Sequence, residues 1–277
     1  MFRIFVVAFV VSCFAPSASA QAQPAPAAAT TQTGTPTTKP AVKKPAPKAK
    51  AAAKPTSPAD NGPCRIGVIS AIGDQFEVHK LGLTVFGNDL AEAPIDSWRL
   101  DDIVVARIRA AAPGAGVRKI TYPKGAFGPY YNPPTMFRNA KDDLTAIVRQ
   151  AAANANCARY FVVTKVNVKA DAGNQILRGV GIVQQGAGPF KRTNLFAAFQ
   201  VTVFDGQTYE VHRRPIDFGS ILTRSFVRDK EPLNEIDNES FPASAAEAAA
   251  NPMFRDRMRA YLASLLDKML PAYLKEG

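Results

Sequence analysis

The sequence predicts an α/β fold in which helices pack on a mixed β-sheet, with β-α units first, antiparallel hairpins next and a long C-terminal helix. Three observations support this prediction. Short apolar runs alternate with two amphipathic helical segments, strand-like segments then follow one another directly, and an apolar stripe at helical spacing ends the chain. With 47% apolar and 21% charged residues, the 277-residue chain is typical of globular proteins and unlike collagen, coiled coils, polytopic membrane proteins or small disulfide scaffolds.

The first half of the folded region is predicted to contain four strands and two helices. Continuous apolar runs are typical of buried strands, and one of them is interrupted at His79-Lys80, which indicates a bulge. Asp96 or Ser97 is predicted to cap the first helix and Asn139 to cap the second. The predicted strands are 65–71, 76–86, 117–122 and 160–168, and the helical apolar positions run over 100–111 and 144–151.

The second half is predicted to be antiparallel, because turn residues alone separate its strand-like segments, 175–184 and 194–204. Asp205-Gly206 is a hairpin signal that leads into a return strand over 207–213. The glycines of Gly179-Val-Gly181 are interpreted as turn residues, since no helix follows them as a phosphate-binding loop requires. Asn251-Pro252 is predicted to begin the last helix.

Residues 1–20 are predicted to be a secretory signal peptide. A basic start is followed by the apolar run Ile4–Val11 and by the cleavage site Ala18-Ser19-Ala20. The run is much shorter than the roughly 20 residues that a membrane span requires. An alternative is a lipoprotein signal ending at Cys13, which would then carry lipid. The predicted location is periplasmic or secreted.

Cys64 and Cys157 are predicted to form a disulfide. Each stands just before an apolar strand-like run, and two neighbouring parallel strands would bring the cysteines together. An even number of thiols in an oxidising compartment favours pairing once the signal peptide is removed. The alternative is two buried, unlinked thiols. Neither cysteine has the spacing of a zinc or redox site.

Residues 21–63 are predicted to form an extended, solvated tail, because proline recurs every few residues and large apolar side chains are missing. The stretch Lys39–Lys54 carries six lysines and no acid. It is interpreted as a spacer for a single domain at 64–277, or else as an electrostatic contact with envelope polyanions. Nucleic acid is not expected as a partner, and membrane association would require lipidation of Cys13 or adhesion of the tail.

The segment 122–137 is the leading candidate contact surface. It joins a predicted strand to a predicted helix, so it lies at the carboxyl ends of the strands, where open α/β sheets bind ligands. Phe127, Tyr130 and Tyr131 stand in it among Gly and Pro residues. Aromatic rings in that position suit a sugar ring or a protein partner. The alternative is that the rings cover the underside of their own loop.

A second candidate surface is basic. Its residues fall near the ends of the antiparallel strands, where several of them are expected to share one edge and to meet phosphate or carboxylate groups. Scattered, solvated charge is the alternative. The residues of this predicted basic patch are Lys191, Arg192, Arg213, Arg214 and Arg224.

Signals for catalysis are sparse. Ser70, Asp74 and His79 lie within ten residues and form the weak alternative of a hydrolytic triad, but the chain lacks the G-x-S-x-G motif that exposes a nucleophilic serine. With two histidines and no H-E-x-x-H motif, neither a metal nor a cofactor is predicted.

Two segments resemble an exported bacterial envelope domain. They are the early strand Arg65-Ile-Gly-Val-Ile69 and the segment Phe199–Val211, in which a strand ending in Asp precedes a turn and a Thr-containing return strand. With the two amphipathic helices, they resemble the α/β domain of the curli-secretion lipoprotein family and of the amino-terminal part of the Tol–Pal translocation protein. The basic tail and the extra hairpin around His79 depart from that pattern.

This resemblance implies a role in envelope assembly or an accessory role, and no catalytic residues. The predicted function is therefore that of an exported, non-enzymatic envelope accessory or binding protein on a basic, flexible tether. Its partner is expected to be an envelope protein, or envelope polyanions bound through Lys39–Lys54. A secreted hydrolase that acts on envelope polymers or esters is the alternative.

Overall fold

The structure, a computed structural model, describes residues 63–82, 87–133, 139–170, 175–213 and 234–274. It confirms the α/β class, since parallel and antiparallel strands join in one sheet that helices cover. The strands are β1 (Ile66–Ala71), β2 (Gln75–Lys80), β3 (Asp89–Pro94), β4 (Val117–Lys119), β5 (Arg159–Lys165), β6 (Asn167–Lys169), β7 (Ile176–Gln185), β8 (Arg192–Asp205), β9 (Val211–Arg213) and β10 (Glu235–Ile236). The helices are α1 (Leu100–Ala111), α2 (Gly128–Tyr131), α3 (Ala140–Ala152), α4 (Ala245–Ala250) and α5 (Pro252–Leu274).

Strand β8, with 14 residues, divides the sheet into two halves. Its residues 192–198 pair antiparallel with β7, and its residues 199–205 pair antiparallel with β5. Beyond β5 lie β1 and then β4, both parallel to it; beyond β7 lie the parallel β2 and the antiparallel edge strand β3. The link 72–74 carries the chain directly from β1 to β2. The point along β8 at which its partner changes from β5 to β7 therefore lies beside this link.

Helices cover both faces of the half that contains β1 and β5. Alternate residues of a strand face opposite sides, so Ile66 and Val68 belong to the core cluster that contains the buried side chains of α1 and α5. Ile69 and Ala71 belong instead to a second cluster with α3. This two-sided burial explains why the strands have continuous apolar sequences. Among the described helices, none combines the length and apolar character that a bilayer-spanning segment needs.

The disulfide between Cys64 and Cys157 is confirmed, with a Cα–Cα distance of 4.5 Å. The predicted reason for it is confirmed as well. Strands β1 and β5 are parallel neighbours, and Ile66 pairs with Arg159 two residues after each cysteine. The backbone continues this pairing outward, because the Ala158 N–H donates to the Cys64 carbonyl oxygen at 3.0 Å.

The start of α1 differs from the prediction, and the proposed caps Asp96 and Ser97 are wrong. Both residues form a short 3₁₀ turn with the buried Trp98, and α1 begins only after Arg99, whose φ is 54°. The Trp98 indole N–H donates to the Ala249 carbonyl oxygen at 2.9 Å. Burial of this ring against α4 therefore outweighs the capping preference.

Several strand boundaries differ from the prediction: β2 ends at Lys80 and its pairing shows no bulge at His79-Lys80, β4 ends at Lys119, and the return strand β9 covers only Val211–Arg213. The cap at Asn139 is confirmed by its hydrogen bond from the Lys141 N–H. The apolar run 160–168 is divided between β5, which pairs with β1 and β8, and β6, which pairs antiparallel with β7. Strand β3 was not predicted. Its residues lack an apolar alternation because, as an edge strand, it is largely exposed.

Reduction of the disulfide should destabilise the domain without changing its fold class. The bridge closes a loop with a sequence separation of 93. In the chain-entropy model, a loop of this length stabilises by about 4–5 kcal/mol. We expect urea unfolding with and without reductant to differ by a free energy of this order. The Cys64→Ser/Cys157→Ser variant should match the reduced protein and show no response to reductant; equal unfolding midpoints for the oxidised and reduced protein would contradict the prediction.

Candidate functional site

A cleft of about 520 Å³ opens at the carboxyl ends of β1, β4 and β5. The segment that follows β4, with α2, forms one wall, and the link between β1 and β2 forms another. This is the position at which open α/β sheets bind ligands. The lining residues are Ser70, Ala71, Asp74, Gln75, Asp96, Asp101, Lys119, Ile120, Thr121, Tyr122, Lys124, Gly125, Phe127, Gly128, Tyr131, Asn132, Lys165 and Arg178.

Two tyrosine hydroxyls fasten the wall to the end of β1. The Tyr122 hydroxyl donates to the Ser70 carbonyl oxygen, which lies beyond the last β1 residue that pairs with β4. The Tyr131 hydroxyl donates to the Ala71 carbonyl oxygen at 2.9 Å and accepts from the Lys165 N–H at 3.1 Å, so it bridges β1 and β5 where their pairing ends. Burial raises the pKa of both tyrosines, which keeps the hydroxyls protonated as donors.

The aromatic residues predicted as contacts have different positions. Phe127 is only 3% exposed and packs between Tyr122 and Tyr131, its ring centroid 4.9 Å from the first and 6.2 Å from the second. This position agrees with the alternative prediction, in which the ring covers the underside of its own loop. Tyr131 lines the cleft and is half-buried. Tyr130 lies outside the cleft lining, where its hydroxyl accepts from the Gln200 amide at 3.2 Å. A role in ligand contact stays a prediction for all three residues.

The cleft contains a buried lysine. The Lys165 side chain is 5% exposed, and its Nζ lies 2.5 Å from the Asp74 carboxylate, whose side chain is 51% exposed. Gly179 makes room for the lysine: with φ at 72°, a Cβ there would lie 3.0 Å from Lys165 Cδ.

The interpretation of Gly179 and Gly181 as turn residues is wrong, since both lie inside β7. A Cβ on Gly181 would lie within 2.5 Å of the Phe196 ring and closer still to the Glu77 carbonyl oxygen.

A second cation, Arg178, connects the cleft to a buried pair on β2. Its backbone N–H donates to Glu77 Oε2 at 3.1 Å, and its guanidinium lies 6.0 Å from the centre of the Tyr131 ring. Glu77 also contacts His79 Nε2 at 2.8 Å, and both side chains are buried. The sequence prediction did not connect these residues, because 101 positions separate Glu77 from Arg178.

The hydrogen bonds of a hydrolytic triad are not formed among Ser70, Asp74 and His79. The Ser70 hydroxyl donates to Asp101 Oδ1 at 2.5 Å, and Asp74 pairs with Lys165. His79 Nε2 contacts Glu77, and among the described residues its Nδ1 has no hydrogen-bond partner. The structure brings Ser70 and Asp74 to the same cleft but leaves His79 buried on β2, outside the cleft lining.

The charges around the cleft are arranged in pairs. Lys124 lies 3.3 Å from Asp96, an exposed pair at the rim. Lys119 Nζ lies 2.6 Å from Asp102 Oδ1 on α1. Within the described residues, no group of three or more His, Cys, Asp or Glu side chains is arranged to hold a metal ion. The cleft can therefore offer a ligand both anionic and cationic groups, of which Lys165 is the most buried.

The predicted basic patch is only partly within the described residues, since Arg214 and Arg224 lie outside them. Lys191 and Arg192 are exposed at the start of β8, in a shallow depression that also contains Glu235 and Asp237. The backbone of Arg213 pairs with Val203, 11 residues further along β8 than Arg192, or about 36 Å at the usual rise of a strand. The backbones of Arg192 and Arg213 therefore lie near opposite ends of β8.

Asp101 provides a pH-dependent test of the cleft. Burial raises the pKa of Asp101 above its ordinary 3.8, and hydrogen bonds from the Ser70 hydroxyl and the Ile72 N–H oppose this shift only in part. A folded-state pKa above the unfolded value stabilises the protein at low pH, and the benefit is lost as pH rises through the folded pKa. In urea titrations at several pH values, Asp101→Asn should therefore gain stability relative to the natural protein as pH rises above about 3.8.

Asp102, on the same helix, supplies a control of opposite sign. Partial burial acts to raise its pKa, but hydrogen bonds from Lys119 and Arg99 hold the pKa below its ordinary value. Asp102→Asn should therefore lose stability relative to the natural protein as pH rises through the acid range. The prediction is wrong if the free energy of unfolding of Asp101→Asn, relative to the natural protein, does not change with pH or changes in the same direction as that of Asp102→Asn. Ionisation of Asp101 would then not destabilise the folded protein.

Comparison with known proteins does not assign a function to the cleft. No protein-family model matches the chain, and neither a curated protein nor a solved structure is significantly similar to it. The case for a function therefore depends on the geometry of this cleft and on the patterns of the sequence.

Proposed function

We propose that this protein is an exported, non-enzymatic binding or accessory protein of the cell envelope, which holds its ligand or partner in the cleft beside Tyr122 and Tyr131. The domain would be carried on the basic tail that contains Lys39–Lys54. The cleft is the observation that carries the proposal: a cavity of about 520 Å³, with charged side chains of both signs, at the ligand-binding end of an α/β sheet.

The rigidity of the cleft wall supports a binding role. The hydroxyls of Tyr122 and Tyr131 fix the wall to β1, so the cleft is formed before a ligand enters and less entropy is lost on binding. The disulfide between Cys64 and Cys157 supports an oxidising compartment, and the Ala18-Ser19-Ala20 cleavage site supports export to it. The resemblance to envelope domains agrees with this role.

The alternative of a secreted hydrolase has less support. A serine nucleophile needs a neighbouring base to accept its proton, and a histidine is the usual base. Ser70 instead donates to the partly buried carboxyl group of Asp101, while His79 is paired with Glu77 inside the sheet. The proposed binding role requires none of these groups to react.

Binding to envelope material can be tested by co-sedimentation of the mature chain with peptidoglycan sacculi and with outer-membrane vesicles, at low and high salt. Gly128→Trp should lower the apparent affinity about tenfold or more. Gly128 lines the cleft, and a Cβ there meets no atom within 4 Å, so the indole enters open space without straining the backbone. Ala146→Trp, on an exposed position of α3, is the matched control and should bind like the natural chain.

A tail variant separates the two modes of contact. Replacing the six lysines within Lys39–Lys54 by Gln should weaken only binding that salt also releases, because exposed charges are screened. If Gly128→Trp binds as well as Ala146→Trp and the tail variant alone loses binding, the tail is the contact and the cleft is not. If the natural chain sediments with neither material, the proposed adhesion is wrong.

A further inference from the structure

Lys165 and its partner Asp74 differ in burial, so the lysine depends more on a counter-charge than the aspartate does. The Lys165 side chain is 5% exposed, and a buried ammonium without a counter-charge is strongly destabilising. The Asp74 side chain is 51% exposed, so water can solvate its carboxylate if the pair separates. The two members of the pair are therefore unequal, and Asp74 is the one that can be replaced.

The position of Lys165 is built into the sheet. The lysine is the last residue of β5, its backbone N–H donates to the Tyr131 hydroxyl, and its aliphatic stem packs against Gly179. Its Nζ lies 5.7 Å from the centre of the Tyr131 ring, which is also the ring that Arg178 approaches. A salt bridge made only for stability gains little from such burial, because desolvation offsets the attraction between the charges.

We propose that Asp74 occupies the site of a ligand carboxylate, and that the cleft binds small molecules or chain ends bearing a carboxylate, which displaces Asp74 from Lys165. This inference rests on the proposed function, since it names the ligand chemistry of the same cleft. A carboxylate makes the contact that Asp74 makes now, so no new pairing geometry is required at Lys165.

The acids of the cleft favour a monoanion over a phosphate. Asp96 and Asp101 line the same cavity as Asp74, and a phosphate near −2 charge would be repelled by them more strongly than a carboxylate. Each lining cation already has a carboxylate neighbour, Arg178 with its Nε 3.8 Å from Glu77 Oε1, so a dianion adds more uncompensated negative charge to the cleft than a carboxylate does. A single carboxylate exchanges with Asp74 and leaves the charge beside Lys165 unchanged.

The cavity is larger than a carboxylate group, so the rest of the ligand lies along the wall formed by Tyr122 and α2. Two sources of a carboxylate suit an envelope: the C-terminus of a short peptide and the acid group of a sugar. The probes are therefore N-acetyl-alanyl-alanine, its C-terminal amide, glucuronic acid and N-acetyl-phosphoserine amide. Binding is measured at millimolar concentrations on the mature chain by NMR, from the shifts of the backbone amides of Asp74 and Lys165.

We expect N-acetyl-alanyl-alanine or glucuronic acid to bind, and the amide and the phosphorylated probe to bind at least about tenfold more weakly, since a charge-assisted hydrogen bond is lost or a repulsion gained. Lys165→Met should lower the affinity for the carboxylate about tenfold or more. Asp74→Asn should raise it several-fold, because the internal competitor for Lys165 is gone. Lys141→Gln, at an exposed position of α3 outside the cleft lining, is the control and should change affinity little.

Opposite effects of Lys165→Met and Asp74→Asn distinguish ligand exchange from a general disturbance of the cleft, which would lower affinity in both variants. Unfolding by urea checks that each variant is folded before titration. Equal binding of peptide and amide, or weaker carboxylate binding in folded Asp74→Asn, would overturn the proposal. If Gly128→Trp abolishes envelope binding while no carboxylate probe binds, the carboxylate inference fails and the proposed binding role of the cleft stands.

Discussion

The change of partner along β8 is the constraint on which the rest of the structure depends. A strand of 14 residues pairs first with β7 and then with β5, so the sheet must accommodate the end of one partner and the beginning of the next. At that level β5 ends and β7 begins, an interruption in the partners of β8, and β1 extends beyond the end of its pairing with β4 at Val68. Buried backbone oxygens require hydrogen bonds, and the hydroxyls of Tyr122 and Tyr131 supply them. The cleft thus lies where β8 changes its partner from β7 to β5.

The same interruption explains why a lysine can lie inside the sheet. Lys165 ends β5, and the first β7 residue that pairs with β8 is Gly179, whose missing side chain leaves space for the lysine stem. A residue with a Cβ would adopt φ of 72° only with strain and would press on Lys165. Gly179 and Lys165 therefore depend on each other, because the backbone conformation of β7 at the glycine determines where the ammonium group of Lys165 lies.

The sequence predicts the parts of this fold that depend on local pattern. Continuous apolar runs identified β1 and β5, and their equivalent positions after Cys64 and Cys157 identified the disulfide. The cleft could not be predicted in the same way, since Asp74, Lys165 and Arg178 come together only through pairing across the sheet. One local signal was present, a lysine two residues after the apolar run Tyr160–Val163 in a strand buried on both faces. Such a residue conflicts with its surroundings unless a specific partner lies near it.

The strands β1 and β5 are held together at both ends, by different means. The disulfide joins the chain just before their amino ends, and the Tyr131 hydroxyl joins their carboxyl ends by contacting both backbones. Between these points six consecutive residues of β1, Ile66–Ala71, pair in register with β5. Because a binding site gains affinity when its groups need not be ordered on binding, a frame fixed in this way suits the groups at its carboxyl end. The covalent bridge thus lies at one end of the strand pair, and the charged side chains of the cleft lie at the other.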